Sequence, residues 1–443
     1  MARWIKTWNP EDPAFWASTG RRIARRNLIW SILAENIGFS IWLIWSVTAA
    51  RLNSVGFKYT TDQLFTLVSV PGLVGALLRF PYTFAVPKFG GRNWTIVSAI
   101  LLLIPTIGLA ILVQRPDTPF WLMAVVAATA GLGGGNFASS MANISFFYPD
   151  REKGFALGLN AAGGNIGVST VQLLVPLIIV AGPGAMHLER AGLMWIPLAV
   201  IAAICAALFM DNLSTAKSTF RDQVAVAREK HTWVMAFLYV GTFGSFVGYS
   251  AAFPLLLKIQ FPEVTTNLFF LGPLVGSLSR PFGGRLADRM GGARVTLYNF
   301  GVMAIATIGV IIFVSAHNLP GFLICFLTLF VAAGIGNGST FRMIPVIFRV
   351  LNREPRVGRL ASEAGAGDPE LTQVLARRQA AAVIGICSAI GALGSFFIPQ
   401  ILGRSIKATG GPATGFAVFV VGYAICVGVT WWYYRRSGML SDV

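Results

Sequence analysis

Three arginines lie in stretches of the chain that are otherwise apolar, and they are the residues best suited to chemistry. Arg79, Arg280 and Arg342 each fall within a hydrophobic run. A guanidinium keeps its proton, and its planar fork can donate to two oxygens of a small oxyanion. A charge at a bilayer centre costs at least about 2.5–3.5 kcal/mol, so such residues usually face a cavity and serve function. We therefore expect an anion site.

Carboxylates that could neutralise these arginines are scarce. Of the 18 Asp and Glu residues, only Glu35 is clearly inside an apolar run, and Asp62 and Asp288 stand at run ends. A salt bridge between helices is the alternative use of Arg79 and Arg280, but it requires acids that these runs lack. An anionic substrate is the simplest remaining counterion.

Glu35 and Arg342 each have two interpretations. Glu35 is the one candidate proton carrier, or it is a structural partner for Arg342 or part of a serine network in its helix. Arg342 either lines the transport path or anchors the cytoplasmic half, so both are possible coupling or gating residues.

Composition indicates a protein that crosses the membrane many times. The 443 residues are 55% hydrophobic and 12% charged, with a mean hydropathy of +0.67, whereas soluble domains are about a quarter charged. The net charge of +17 would suggest nucleic acid binding in a soluble protein, but the basic residues lie in loops. We therefore expect membrane lipid, and not nucleic acid, to be the partner of this chain. No cleavable signal peptide is expected.

Apolar windows between Gly, Pro and charged breaks predict twelve transmembrane helices, hence an all-α membrane protein. Helices 1 to 12 are predicted at 28–50, 62–88, 94–114, 119–148, 155–181, 191–210, 232–258, 267–289, 295–315, 321–348, 378–402 and 413–434. Two pseudo-symmetric six-helix bundles are expected, at 1–210 with a cytoplasmic N-terminal segment and at 232–443, joined by a cytoplasmic linker at 211–231. A second long cytoplasmic loop is expected at 349–377.

Loop charge predicts the orientation of these helices. Loops on one side carry 25 of the 35 basic residues and loops on the other side carry seven. The positive-inside rule then places both termini in the cytoplasm, in an inner or plasma membrane.

The two halves repeat each other at a nearly constant offset. Arg79 and Arg280 are 201 residues apart, as are the pairs that begin at Gly90 and Gly291. Glycine-rich runs follow in helices 4 and 10, and we expect their glycines to form a moving contact: Gly131, Gly133, Gly134 and Gly135, then Gly334, Gly336 and Gly338. Parallel repeats are typical of transporter halves that rock about a midplane site, and small residues let helices pack closely.

Aromatic residues at helical spacing could line a dry cavity beside the arginines. Phe137 and Phe146 lie in helix 4, and Tyr239, Phe243 and Phe246 lie in helix 7. Each of them, taken singly, is more often a core residue.

Two long motifs at equivalent places resemble a known family. GLGGGNFASSMANISFFYP at Gly131–Pro149 and GIGNGSTFRMIPVIF at Gly334–Phe348 are similar to signatures of the nitrate/nitrite porter family of the major facilitator superfamily. The resemblance extends through WNPEDPAFW, TTDQLF, LLRFPYTF and FGSFVGYSAAF.

This resemblance implies a nitrate site between two six-helix bundles, with Arg79 and Arg280 clamping the anion from opposite halves. It also implies that four further residues contact substrate: Phe137, Asn165, Tyr239 and Phe243. The sequence departs from some relatives at Glu35 and Arg342, and that departure concerns the coupling mode.

Three modes of action remain open. Nitrate/nitrite exchange is preferred, proton-coupled nitrate symport through Glu35 is the alternative, and an anion channel is third. An enzyme is not expected, because the sequence has no nucleophile–base pair, metal cluster or phosphate loop, and the glycine runs lie mid-span with no strand before them. No metal or other cofactor is expected, the four cysteines are interpreted as reduced core residues, and the protein is expected to act as a monomer.

Overall fold

The chain forms a helical membrane protein with helices in all twelve predicted places. The computed structural model describes residues 4–182, 184, 186–216, 226–353 and 369–436, without the side chains of 352, 353, 369–378 and 381. Within this part, eleven helical stretches are long and apolar enough to cross a bilayer: Pro13–Val55, Thr61–Thr83, Gly91–Leu112, Phe120–Phe147, Asp150–Ile179, Arg190–Phe209, Lys230–Gln260, Gly292–Ser315, Leu319–Leu351, Ala382–Thr409 and Ala413–Tyr434. Helix 8, Leu271–Met290, is outside this set because it carries three arginines and an aspartate.

Short breaks divide several stretches. Helix 1 has a π-helical turn at Trp16–Gly20, and α-helices at Arg21–Trp42 and Ile44–Leu52. Helix 3 consists of Gly91–Leu101 and Leu103–Leu112. Helix 4 consists of Phe120–Thr129 and Gly131–Phe147. Helix 6 consists of Arg190–Leu193 and Trp195–Phe209. Helix 7 consists of Lys230–Tyr239, a π-helical turn at Val240–Gly244, and Ser245–Gln260. Helix 10 is Leu319–Arg353, and helix 11 consists of Pro369–Ala392 and Gly394–Thr409.

The loop predicted at 349–377 is shorter than expected. Residues 349–353 continue helix 10, and helix 11 already begins at Pro369. Residues 354–368 lie outside the described part of the chain. Charge and glycine content suggested a loop throughout, but helix 10 has no proline or glycine between 346 and 353 to end it.

The polar N-terminal segment is folded, although its composition gave no element there. Asp12 accepts hydrogen bonds from the backbone nitrogens of Ala14 and Phe15 and so begins the first helical turn. Trp4–Ile5 pairs in parallel with Asn212–Leu213 in a two-stranded sheet. Trp8 and Trp16 are buried in an apolar cluster with the ends of helices 4 and 5.

The start of the predicted linker is tied to helix 1. Asp211 is 4% exposed, and its carboxylate accepts from Arg26 Nη2 at 2.6 Å and from Asn27 Nδ2 at 2.9 Å. The Oδ1 of Asn27 in turn accepts from the backbone nitrogen of Asp211. Residues 217–225 of the linker lie outside the described residues.

The repeat seen in the sequence recurs in backbone geometry. Gly90 has φ 87° and ψ 147°, and Gly291 has φ 86° and ψ 133°. Positive φ strains any residue with a Cβ, so both turns favour glycine. Helices 3 and 9 begin directly after these matching turns, at Gly91 and Gly292.

Contacts between residues divide the chain into two compact units that do not follow its midpoint. The first unit contains Met1–Ser218 with Gly248–Leu274 and Ser395–Lys407. The second contains Thr219–Val247, Val275–Gly394 and Ala408–Val443. Helices 7 and 11 therefore contribute their second parts to the first unit.

Two glutamines hold these second parts within the first unit. Gln172 of helix 5 donates to the carbonyl of Ser250 at 2.7 Å. Gln400 of helix 11 donates to the hydroxyl of Ser69 in helix 2 at 2.8 Å. A Cβ at Gly72 would collide with Ser395, so helices 2 and 11 are also in close contact there.

Close glycine contacts give a first prediction about stability. A Cβ at Gly133 would collide with the carbonyl oxygen of Gly38, whereas a Cβ at Gly158 would meet nothing within 4 Å. We expect Gly133→Ala to lower the melting temperature of the purified protein, because two backbones would have to separate. Overpacking of this kind typically costs about 1–3 kcal/mol.

Gly158→Ala is the matched control, because it makes the same change on helix 5 without the collision. Alanine favours a helix over glycine by up to about 1 kcal/mol, so the control should melt at the same temperature or higher. Equal melting temperatures for the two variants would contradict the close contact between helices 1 and 4.

Candidate functional site: two buried arginines on aromatic rings

Arg79 is fully buried in helix 2, with 0% of its surface exposed. Its Nε donates to the carbonyl oxygen of Gly134 in helix 4 at 3.1 Å. The guanidinium carbon lies 4.6 Å from the ring centre of Phe137 and 5.3 Å from that of Trp42. Both distances are within the range of cation–π attraction, which strengthens when water is absent.

Glycines make the space for the tryptophan beside Arg79. A Cβ at Gly75 would lie 2.6 Å from Trp42 Nε1, and a Cβ at Gly134 would lie 2.5 Å from Trp42 Cε2. The indole nitrogen donates to the carbonyl oxygen of Pro71 at 2.8 Å, which fixes the ring. The glycines of helices 2 and 4 thus shape the surroundings of the guanidinium as well as the contact between helices.

Arg280, the repeat partner of Arg79, lies in helix 8 and is 6% exposed. Its guanidinium carbon lies 5.4 Å from the ring centre of Phe341 in helix 10. Among the described residues no carboxylate pairs with it, and its buried Nη1 has no hydrogen-bond acceptor. A Cβ at Gly338 would collide with the carbonyl oxygen of Arg280, so helices 8 and 10 meet at this level.

Helix 7 stacks its aromatic residues around an irregular turn. The rings of Tyr239 and Phe243 are 5.3 Å apart and inclined by 21°, and Phe246 follows at 6.5 Å from Phe243. All three side chains are at most 1% exposed. The π-helical turn Val240–Gly244 begins directly after Tyr239 and includes Phe243, and single π turns are frequent at functional sites.

Asn165 and Phe146, two other residues singled out from sequence, have different surroundings. Asn165 is 1% exposed in helix 5, and its Oδ1 has no hydrogen-bond donor among the described residues. Buried polar atoms usually have partners, so this unsatisfied oxygen marks Asn165 as a candidate for contact with a polar ligand. Phe146 packs against the apolar cluster around Trp8 and Tyr148, which is the core role that the sequence favoured for each aromatic residue taken singly.

Glu35 lies in a network of polar side chains within the first unit. It is 0% exposed, and its Oε2 accepts from the hydroxyl of Ser140 and from Asn160 Nδ2 at 2.7 Å. Ser31 of helix 1 lies 3.1 Å from Ser140 through their hydroxyl oxygens. The hydroxyl network that the sequence offered as one interpretation is therefore present, and it includes helices 4 and 5.

Arg342 differs from the other two arginines because it has an acidic partner and is exposed. Its Nε forms an ion pair with Asp288 of helix 8, and their side chains are 45% and 52% exposed. The sequence placed Asp288 at a helix end without a partner, and the structure shows that this partner is Arg342. Arg342 thus has the anchoring contact that was one of its two interpretations.

The glycines of helices 4 and 10 make the close contacts that their sequence predicted. Gly131 and Gly135 face Val74 and Leu78 of helix 2, and Gly336 faces Thr242 of helix 7 and Asn299 of helix 9. Gly334 faces the carbonyl of Gly276 in helix 8. Their role in packing follows from these contacts, and movement at them stays a prediction.

Trp42 and Phe341 were missed by sequence reasoning. Nothing in the spacing of Trp42 distinguishes it from the other tryptophans in apolar runs. Phe341 could have been found, because it adjoins the second glycine run and lies a helical turn beyond its end. Cation–π partners come from other helices, so only the packing identifies them.

A family model described as Major Facilitator Superfamily matches residues 22–362. The chain belongs to this superfamily. Two arginines at repeat-related positions agree with its duplicated architecture, in which parallel repeats form the two halves.

Curated relatives are similar along nearly the whole chain. The nitrate/nitrite transporter NarU of Escherichia coli strain K12 is 42% identical, over 98% of this chain and 96% of that protein. A probable nitrate/nitrite antiporter, NarK2 of Thermus thermophilus, is 36% identical over 98% of this chain and 97% of that protein. The resemblance inferred from the two motifs is confirmed.

Solved structures support the fold. A crystal structure of a D-xylose–proton symporter aligns with a TM-score of 0.69, at 15% identity over 94% of this chain and 99% of that chain. A partially occluded inward-open xylose transporter XylE from E. coli aligns at 0.66 with 12% identity, over 93% and 98%. The all-α major facilitator fold predicted from sequence is confirmed.

The exposure of Arg342 and Asp288 gives a prediction about their pairing. An exposed ion pair contributes about 0.2–1 kcal/mol, because solvent screens it and two long side chains lose freedom. In a double-mutant cycle with Arg342→Ala and Asp288→Ala, we expect a coupling within this range for thermal stability. A coupling of several kcal/mol would contradict a solvent-screened pair.

Proposed function

We propose that this chain is a secondary transporter that exchanges nitrate and nitrite across the cytoplasmic membrane by alternating access. The observation that carries this proposal is a buried arginine laid on an aromatic ring at the same repeat position in each half, in a chain whose relatives are named nitrate/nitrite transporters. The substrate-binding residues we propose are Arg79, Arg280, Phe137, Asn165, Tyr239 and Phe243.

The chemistry of these residues suits a small planar oxyanion. A guanidinium stacked on a ring keeps the N–H groups at its edge directed away from that ring, where they can donate to two oxygens at once. Aromatic surfaces exclude water, and charge-assisted hydrogen bonds strengthen as the local dielectric falls. Asn165 adds an amide that can donate to a further oxygen.

Exchange follows from the charge of the site. Arg280 has no paired carboxylate within the described residues, so the empty carrier would have to move an uncompensated cation between its two states. Unneutralised charge is costly in a low-dielectric passage. A bound anion removes that cost, and the carrier then reorients when it is loaded with either nitrate or nitrite.

Alternating access also requires contacts that break and re-form at the ends of helices. We assign this role at the outer side to Gln172 and Gln400, which hold the second parts of helices 7 and 11. These parts carry Lys258 and Lys407 in their last turns, on the side with few basic residues. The glycines of helices 4 and 10 are the proposed sliding surfaces.

Proton-coupled nitrate symport is the second candidate, and the observation that favours it is the burial of Glu35. A carboxylate in a network with Ser140 and Asn160 could take up and release a proton during the cycle. A channel has less support, since nothing in the described residues suggests a continuous pore.

We also propose a membrane topology, an assembly state and a division into bundles. Both termini face the cytoplasm because most loop basic residues share that side. The protein acts as a monomer in contact with lipid, with bundles at 1–210 and 232–443 joined by a linker at 211–231.

Exchange predicts transport without a pH gradient. Proteoliposomes loaded with nitrite should take up external nitrate, and liposomes loaded with no anion should take up almost none. The measurement is nitrate uptake with equal pH on both sides. Glu35→Gln should retain uptake. Uptake that requires a pH gradient and is lost in Glu35→Gln would favour symport, and unsaturable flux without stimulation from inside would favour a channel.

Bidentate binding predicts that lysine cannot replace either arginine. Arg79→Lys and Arg280→Lys keep the charge but lose the planar fork. We expect each variant to fold with a melting temperature close to that of the original protein, and to lose nitrate uptake by about a hundredfold or more, the effect of a charge-assisted hydrogen bond of about 3 kcal/mol. Arg342→Lys is the matched control and should transport normally. Unchanged nitrate affinity in the Arg280→Lys protein would contradict bidentate binding of nitrate by this arginine.

A further inference from the structure

Asn337 in helix 10 is a buried amide whose polar atoms the protein does not satisfy. Its side chain is 1% exposed, and neither Nδ2 nor Oδ1 has a hydrogen-bond partner among the described residues. An unsatisfied buried polar group costs about 1–3 kcal/mol. Most buried side-chain polar atoms have partners, so this amide requires an explanation.

Neighbouring polar side chains in the same unit do have partners. The hydroxyl oxygens of Thr340 and Thr242 are 3.1 Å apart, and those of Ser339 and Thr296 are 2.8 Å apart. The Nδ2 of Asn299 donates to the sulfur of Met303 at 3.5 Å. These polar side chains of helices 7, 9 and 10 are therefore paired without Asn337.

The position of Asn337 on helix 10 relates it to Arg280. Asn337 and Phe341 are four residues apart, so their side chains lie on the same face of the helix. The ring of Phe341 carries the guanidinium of Arg280. The next residue, Gly338, lies against the backbone carbonyl of Arg280. The unsatisfied amide is thus about one helical turn from the residue whose ring lies under the guanidinium of Arg280, and Nη1 of that guanidinium is also unsatisfied.

We propose that Asn337 is a further substrate-contacting residue, and that its Nδ2 donates a hydrogen bond to an oxygen of the oxyanion held by Arg280. This inference rests on the proposed function. Nitrate and nitrite only accept hydrogen bonds, so a donor is what such a ligand requires. The ligand supplies the acceptor that the protein does not.

The two repeats differ at the position of Asn337. At the offset of 203 residues that relates the glycine runs, the residue matching Asn337 is Gly134. Gly134 offers only a backbone carbonyl, and Arg79 already donates to it. The second repeat alone therefore places a side-chain amide at this position.

The test is nitrate binding to purified full-length protein in detergent, measured by calorimetry, together with melting temperature. Asn337→Ala removes the amide, and we expect nitrate affinity to fall about tenfold to hundredfold, the usual effect of one hydrogen bond to a charged group. Its melting temperature should be equal or higher, since an unsatisfied polar group is removed. Asn337→Asp has nearly the same shape with an added negative charge and should bind no nitrate at pH 7.5.

Asn299→Ala is the matched control, because it removes a buried amide of the same unit that has a protein partner. It should lower the melting temperature and leave nitrate affinity within about threefold of the original, less than one hydrogen bond contributes. Unchanged affinity in Asn337→Ala would overturn the proposal. If that variant does not fold, Asn337→Asp decides, and nitrate binding retained there would overturn it equally. An original protein that binds neither nitrate nor nitrite would refute the proposed function itself.

Discussion

Burial of a guanidinium inside a helical bundle sets the conditions that the neighbouring residues meet. Such a group cannot shed its proton, so its charge must be solvated by the protein. Around Arg79 this is done by the carbonyl of Gly134 and the rings of Phe137 and Trp42. The indole in turn needs glycines at its sides, so helices 1, 2 and 4 approach closely where the charge lies. The packing of helices 1, 2 and 4 at this level thus accommodates one buried cation.

The repeat preserves the backbone more faithfully than the polar surroundings. The turns at Gly90 and Gly291 have nearly the same dihedral angles. The arginines that precede them rest on rings from helices 4 and 10, but the rings occupy different positions in the two runs: Phe137 follows Gly134 by three residues, and Phe341 follows Asn337 by four. Duplicated halves can thus share a scaffold while each adjusts the immediate neighbours of its own cation.

Sequence reasoning reached the elements and the arginines, because hydropathy, loop charge and repeat offset are local or periodic signals. It did not reach contacts between distant helices. Asp288 stood at a predicted helix end without a partner, and only packing brings Arg342 to it. The sequence contains twelve tryptophans and does not distinguish Trp42 from the others. The structure does, because Arg79 lies beside its ring. The N-terminal strand was missed since two residues carry no periodicity, and their partner strand is about 200 residues away.

The first compact unit includes pieces of chain from well beyond the midpoint, Gly248–Leu274 and Ser395–Lys407. A polypeptide ending at the linker would lose the hydrogen bond from Gln172 to Ser250 and the one from Gln400 to Ser69, and would keep those of Gln172 to Ser46 and of Ser69 to Thr66. Two polar contacts of the first unit therefore depend on chain from beyond the linker.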